Sequence, residues 1–161
     1  MQNFYKKGRP AQTGIALAEL LIIFAVIAIL VSVILPQFSK IRENQTLKSG
    51  AGDVLSAINK ARSQALASID SSEYGVHFQS DGVIIFKGTV FSALAGDNEI
   101  INLTTPVTIS NVTLLGVSGT SGDVYFDRLS GAPSKNGTIT LSTSSLSKII
   151  TISATGVPSL N

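Results

Sequence analysis

Residues 15–35 read IALAELLIIFAVIAILVSVIL, twenty-one positions with a single charge, Glu19. About 20 apolar residues rising 1.5 Å each cross the hydrocarbon core of a bilayer. A chain of 161 residues cannot build an interior that surrounds such a helix on every side. A buried core helix is therefore a poor reading, and the run is expected to lie in a membrane. The rest of the chain has a different character, rich in Ser, Thr and Gly. Charged residues make up only 14% of the whole, against about 25% in ordinary soluble domains.

The basic balance is local. The formal net charge is +2 and the pI near 9.0, but Lys6, Lys7 and Arg9 all precede the apolar run. Beyond Pro36, nine basic residues face nine acidic ones: Glu43, Asp53, Asp70, Glu73, Asp81, Asp97, Glu99, Asp123 and Asp127. A neutral outward part is a weak match for a nucleic-acid-binding face. The three leading cations predict a cytoplasmic N-terminus with the remainder carried across the membrane. A secretory signal also starts basic and continues apolar. This run exceeds the usual 7–15 residues of such a signal, and it ends in Leu35-Pro36-Gln37-Phe38 without a small-x-small cleavage site. There is no cysteine, which excludes disulfides, thiolate metal sites, cysteine nucleophiles and a lipid-bearing cysteine.

Glu19 is costly where it stands. A carboxylate within a membrane helix costs about 2.5–3.5 kcal/mol on insertion scales, and anchoring alone does not need it. One explanation is that it reaches water at the membrane face. A second comes from the stretch KKGRPAQTG followed by IALAELLIIFAVIAIL. A basic leader, a glycine, and an apolar helix with Glu at its fifth position resemble the class III signal of type IV pilins and type II secretion pseudopilins. Pro36, at position twenty-two counted from Ile15, matches a proline that many of these proteins carry. The resemblance implies a leader over 1–14, cut after Gly14 by a membrane prepilin peptidase that then N-methylates Ile15. Phenylalanine is commoner at the first mature position, so Ile15 is a mild departure. It also implies that Glu19 meets the new amine, its own or a neighbour's, and sets the register of filament assembly.

From Gln37 to about Asp70 the pattern becomes amphipathic. Phe38, Ile41, Ala51, Val54, Leu55, Ile58, Ala61, Ala65 and Ile69 fall mainly at helical spacing and predict a stripe packed on a domain. A helix over 15–70 is expected, about 84 Å long, kinked at Pro36. Gly50 and Gly52 should soften it, at about 1 kcal/mol each relative to Ala.

After Ser71, apolar β-branched and aromatic runs predict strands over 74–78, 83–87, 100–103, 107–109, 112–115, 124–126, 138–141 and 149–153. Breakers separate them, among them Ser80-Asp81-Gly82 and Asn136-Gly137, whose Asp-Gly and Asn-Gly pairs favour tight hairpins. The expected fold is α+β: a long transmembrane and amphipathic helix, then a small antiparallel sandwich-like domain, the pilin fold. The expected organisation is a leader 1–14, a transmembrane part 15–36, an amphipathic part 37–70 and a β domain 71–161. The stretches YGVHFQSDGVIIFKG, GDVYFDRLSGAPSKNGTITL and KIITISATGVP resemble the H-type branch of the family, GspH pseudopilins and FimT or FimU minor pilins.

That resemblance implies a structural, minor subunit at or near the filament tip, with no enzymatic activity and no cofactor. Its implied partners are prepilin peptidase, other subunits through the N-terminal helix, the inner-membrane assembly platform, and membrane lipid before assembly. His77 is the single histidine and reads as a plain surface or edge residue. Asp81, Asp97, Glu99, Asp123 and Asp127 lie near turns but form no recognisable calcium ligand run, so no metal is expected. Two alternatives remain in the sequence. One is a DNA-capturing minor pilin, for which Arg128, Lys135 and Lys148 would have to gather. The other is an unrelated membrane-anchored β-domain.

Overall fold

A computed structural model describes residues 13–161, apart from the side chains of 13–16 and of Pro36. Residues 1–12, most of the expected leader 1–14, lie outside the described residues. The chain divides into two compact units, 1–41 and 42–161.

Helix α1, Thr13–Leu66, is the one long helix among the described residues and runs without a break through position 36. In the first unit its large apolar side chains are exposed all round, from Leu17 and Leu20 through Leu35 to Phe38 and Ile41. It is long and apolar enough to cross a membrane by length and composition. A helix apolar on every face needs lipid or other helices around it.

The second unit begins with the last turns of α1. Leu47, Ala51, Val54, Ala57, Ile58, Ala61 and Ala65 are buried there, recurring every three or four residues. The four alanines present little more than a methyl group, so the helix backbone can lie close to its neighbours. The expected stripe is therefore trimmed: Phe38, Ile41 and Ile69 are exposed, and Leu47 and Ala57 take places in the core. The helix stops at Leu66, short of position 70, because Ser68, Asp70 and Ser71 adopt left-handed φ of 51°, 49° and 54°. Short polar side chains tolerate that region best after glycine.

Nine strands follow: β1 Tyr74–Gln79, β2 Gly82–Lys87, β3 Glu99–Asn102, β4 Thr108–Leu114, β5 Val117–Gly119, β6 Gly122–Phe126, β7 Gly137–Ser142, β8 Ser147–Ile152 and β9 Pro158–Leu160. They form two antiparallel sheets, ordered β3-β2-β1-β6 and β5-β4-β7-β8-β9. Register aligns apolar rows across each sheet: Ile85, Val76 and Val124 in the first, Val112, Ile139 and Ile150 in the second. These rows and the helix stripe make one buried cluster.

Two expected strands, 107–109 and 112–115, are one strand. A bulge at Ser110 shifts the pairing from Ile109↔Leu141 to Asn111↔Thr140, which interrupts the alternation that pattern reading depends on. Asn136-Gly137 does not close a hairpin, since β6 and β7 belong to different sheets. Gly137 is needed for close approach instead: a Cβ there would stand 2.0 Å from the Thr113 carbonyl oxygen.

Candidate functional site

The residues expected to carry function fall at the N-terminal end of α1. Gly14 and Ile15 are helical, and the Ile15 side chain lies outside the described residues. Glu19 is exposed among exposed Leu17, Leu20 and Leu21. It forms no ion pair among the described residues. Fourteen large apolar side chains between Leu17 and Leu35 are exposed with it, far beyond the patch size of a free-standing soluble protein. This surface is built for a non-aqueous environment, and Glu19 is the one group in it that such an environment penalises.

In the second unit, four of the eight Lys and Arg side chains are committed to internal contacts. Lys60 pairs with Glu99 at 2.6 Å, joining α1 to β3. Arg62 donates to the carbonyls of Gly131 and Thr155 at 3.2 and 3.3 Å, and Arg128 to that of Ser71 at 3.1 Å. Lys87 pairs with Asp70 at 3.1 Å; its hydrogen bond and charge hold the Asp70 carboxyl below the usual range. These ties close the seams between helix, loops and sheets.

Two features escaped the sequence reading. The first is Glu43. Its carboxylate accepts hydrogen bonds from Ser144 Oγ (2.9 Å), Ser145 N (3.1 Å) and Ser145 Oγ (2.8 Å) in the loop between β7 and β8. Hydroxyls of Thr143, Ser145 and Ser144 hold its pKa down at about 2. Three consecutive hydroxyl residues in one loop were the available signal.

The second is a small packed layer on the outer face of the first sheet. β2 reads Val83-Ile84-Ile85-Phe86, and all four are buried, so both faces of that strand are covered. Phe91, from the loop between β2 and β3, covers the outer face. Its ring stacks on His77 at 3.9 Å and 6° and meets Phe86 edge-on at 5.7 Å. His77 is not a plain surface residue: its side chain is 18% exposed and its Nδ1 contacts Asp123 Oδ1, on the cross-strand neighbour in β6. The unbroken apolar run in β2 was the signal for this layer.

Among the described residues, no three His, Asp or Glu side chains converge as a metal site would require. Asp123 is engaged by His77 and Glu99 by Lys60. The surface that stands out is the apolar helix, whose contacts must come from outside the chain.

One long apolar helix followed by two antiparallel sheets defines a membrane-anchored structural subunit of pilin-like α+β layout. The family profile described as type II transport protein GspH matches residues 50–156, and the chain belongs to that family. No curated protein and no solved structure matches it. Its general role is that of a type II secretion pseudopilin, a structural subunit that works with other pseudopilins and the secretion machinery.

Proposed function

We propose that this pseudopilin is a minor subunit, made as a precursor, cut between Gly14 and Ile15 by prepilin peptidase, N-methylated at Ile15, and placed at or near the filament tip. Before assembly it sits in the inner membrane with its N-terminus cytoplasmic and its β domain on the far side. The assembly platform then withdraws it into the filament, where neighbouring subunits' helices replace lipid around 15–35. Pro36 gives the helix a bend where the span ends.

The observation that carries this reading is Glu19, the lone carboxylate on an otherwise all-round apolar helix, five positions after Gly14. Cleavage creates a cationic amine at Ile15. In a water-poor setting the attraction between amine and carboxylate offsets much of the burial penalty. A subunit whose carboxylate meets a neighbour's amine is held at one axial register.

The test is the N-terminal sequence and intact mass of protein taken from its native membranes. A start at Ile15 carrying one added methyl group is expected. An intact Met1, or a cut beyond Leu35, would overturn the processing and the assembly mechanism with it.

A further inference from the structure

A groove of about 330 Å³ on the domain is lined by Arg42, Gln45, Thr46, Ser49, Gly50 and Thr104. No carboxylate lines it. The neighbouring acid, Glu43, is occupied by the hydroxyls of the β7–β8 loop. Thr46 commits its hydroxyl proton to the Arg42 carbonyl at 2.9 Å. The side-chain donors of Arg42, Gln45, Ser49 and Thr104 make no hydrogen bond or ion pair among the described residues. Gly50 helps to form the groove. With no side chain there, Leu103 and Val107 pack against the helix, and Thr104 between them comes to line the same groove as Ser49.

Unpaired donors around one guanidinium suit an oxyanion, and the planar fork of arginine fits phosphate in particular. Sequence position narrows the source. Arg42 follows Leu35, the end of the apolar run, by seven residues, about 10 Å of helical rise. A headgroup layer is about 5–7 Å deep on each side of the core, and an arginine side chain can reach back that far. Residues 36–50 carry Lys40, Arg42 and Lys48 against Glu43 alone. In the proposed orientation this flank crosses the membrane, where positive charge works against the bias that sets topology. The cations therefore need another reason to be there.

We propose that this groove binds the phosphate of an anionic phospholipid headgroup in the leaflet from which the domain emerges. Arg42 forms the ion pair, and Gln45, Ser49 and Thr104 donate hydrogen bonds. The contact holds the waiting subunit at a fixed depth and is broken when the subunit is withdrawn into a filament. The inference rests on run 15–35 entering the membrane; it does not depend on cleavage at Gly14.

The test uses the full chain, ¹⁵N-labelled, in phosphate-free maltoside micelles. Short-chain phosphatidylglycerol, short-chain phosphatidylcholine and inorganic phosphate are titrated in separate arms. Saturable amide shifts at Gln45, Ser49 and Thr104 are expected with phosphatidylglycerol. The other two arms should need at least about tenfold more ligand, and Arg42→Gln should weaken the phosphatidylglycerol response by about tenfold or more, the scale of a lost charged hydrogen bond. Arg42→Lys should fall between, and Lys48→Gln, outside the groove, should change it less than about twofold by the same measure. Absence of saturable shifts would overturn the site. An equal response to inorganic phosphate would overturn the lipid source. Equal losses in Arg42→Gln and Lys48→Gln would reduce the effect to general surface charge and overturn the groove. Spectra of the variants that otherwise superimpose on the parent exclude misfolding as the cause of a loss.

Discussion

Gly52→Ala should stabilise the domain and Gly50→Ala should not, although the two glycines stand two positions apart in α1. Alanine in place of glycine in a helix interior gains about 0.5–1 kcal/mol. At Gly52 an added Cβ meets nothing within 4 Å, so the gain is expected in full. For a unit the size of 42–161, each kcal/mol moves the melting point by about 3–6 °C. Gly52→Ala should therefore raise Tm by about 2–6 °C. At Gly50 the same Cβ would lie 3.2 Å from Val107 Cγ1 and 3.3 Å from Leu103 Cδ2. Both neighbours are buried, at 2% and 8% exposure, and each must retreat by a few tenths of an ångström. Overpacking of a filled core costs about 1–3 kcal/mol, and one methyl group belongs at the low end, enough to cancel the helical gain. Gly50→Leu drives three further carbons into the same contact and should lower Tm by about 5–15 °C. Calorimetry of the full chain in detergent micelles reads all three. Equal rises in the two alanine variants would refute the packing of Gly50 against 103–107. A fall in Gly52→Ala would show that backbone freedom at that position is not what limits the helix.

Three further predictions follow from other contacts. The Glu43 pKa is held at about 2, against an ordinary 4.5. Its stabilising effect is therefore complete above the ordinary value and disappears as pH falls from there towards 2. Urea midpoints of the parent should drop across that window by more than those of Glu43→Gln; parallel curves would dismiss the anchoring role. Gly75→Ala places a Cβ 2.4 Å from Phe86 Cζ and 2.8 Å from the Val124 carbonyl oxygen, so the Phe86 ring and Phe91 against it must move, at about 1–3 kcal/mol. An unchanged melting point with unchanged His77 ring resonances would contradict that packing. Glu19→Ala should be cleaved and inserted like the parent yet be recovered poorly in sheared filaments, and normal recovery would sink the register argument.

The legible parts of the fold were those whose burial is one-sided and regular. Run 15–35 and the alternation in β1, β7 and β8 could be read directly, because each alternation has one face in the core. β5 was missed because its hairpin turns on Leu115-Gly116, with φ of 51° and 80°. Both central residues are left-handed, as in the favoured two-residue hairpin, but leucine is not a turn signal. β9 was missed because proline opens it; proline is tolerated at the first residue of an edge strand, and only its pairing with β8 reveals the strand. Glu43 and the hydroxyls of 143–145 are a hundred residues apart in the chain. No local pattern joins them, since their contact exists only once helix and hairpin have folded together.

The two units meet the demands of solvent in opposite ways. In the domain, Phe78, Phe126, Ile139 and Ile150 are fully enclosed by their own chain, and half of its Lys and Arg side chains find carbonyls or carboxylates within it. The apolar run encloses nothing and is enclosed by nothing. Its partners must be lipid tails or the helices of other subunits, which offer the same apolar contact. Exchanging one for the other alters the hydrophobic term little, because lipid tails are as apolar as leucine. The choice between membrane and filament must then be weighted by groups that distinguish the two settings. In the proposed assembly Glu19 is one such group, since a neighbour's amine is available only in a filament. The guanidinium of Arg42 is the proposed counterweight, since a headgroup phosphate is available only in a bilayer. Removing the first should strand subunits in the membrane, and removing the second should release them from it more readily.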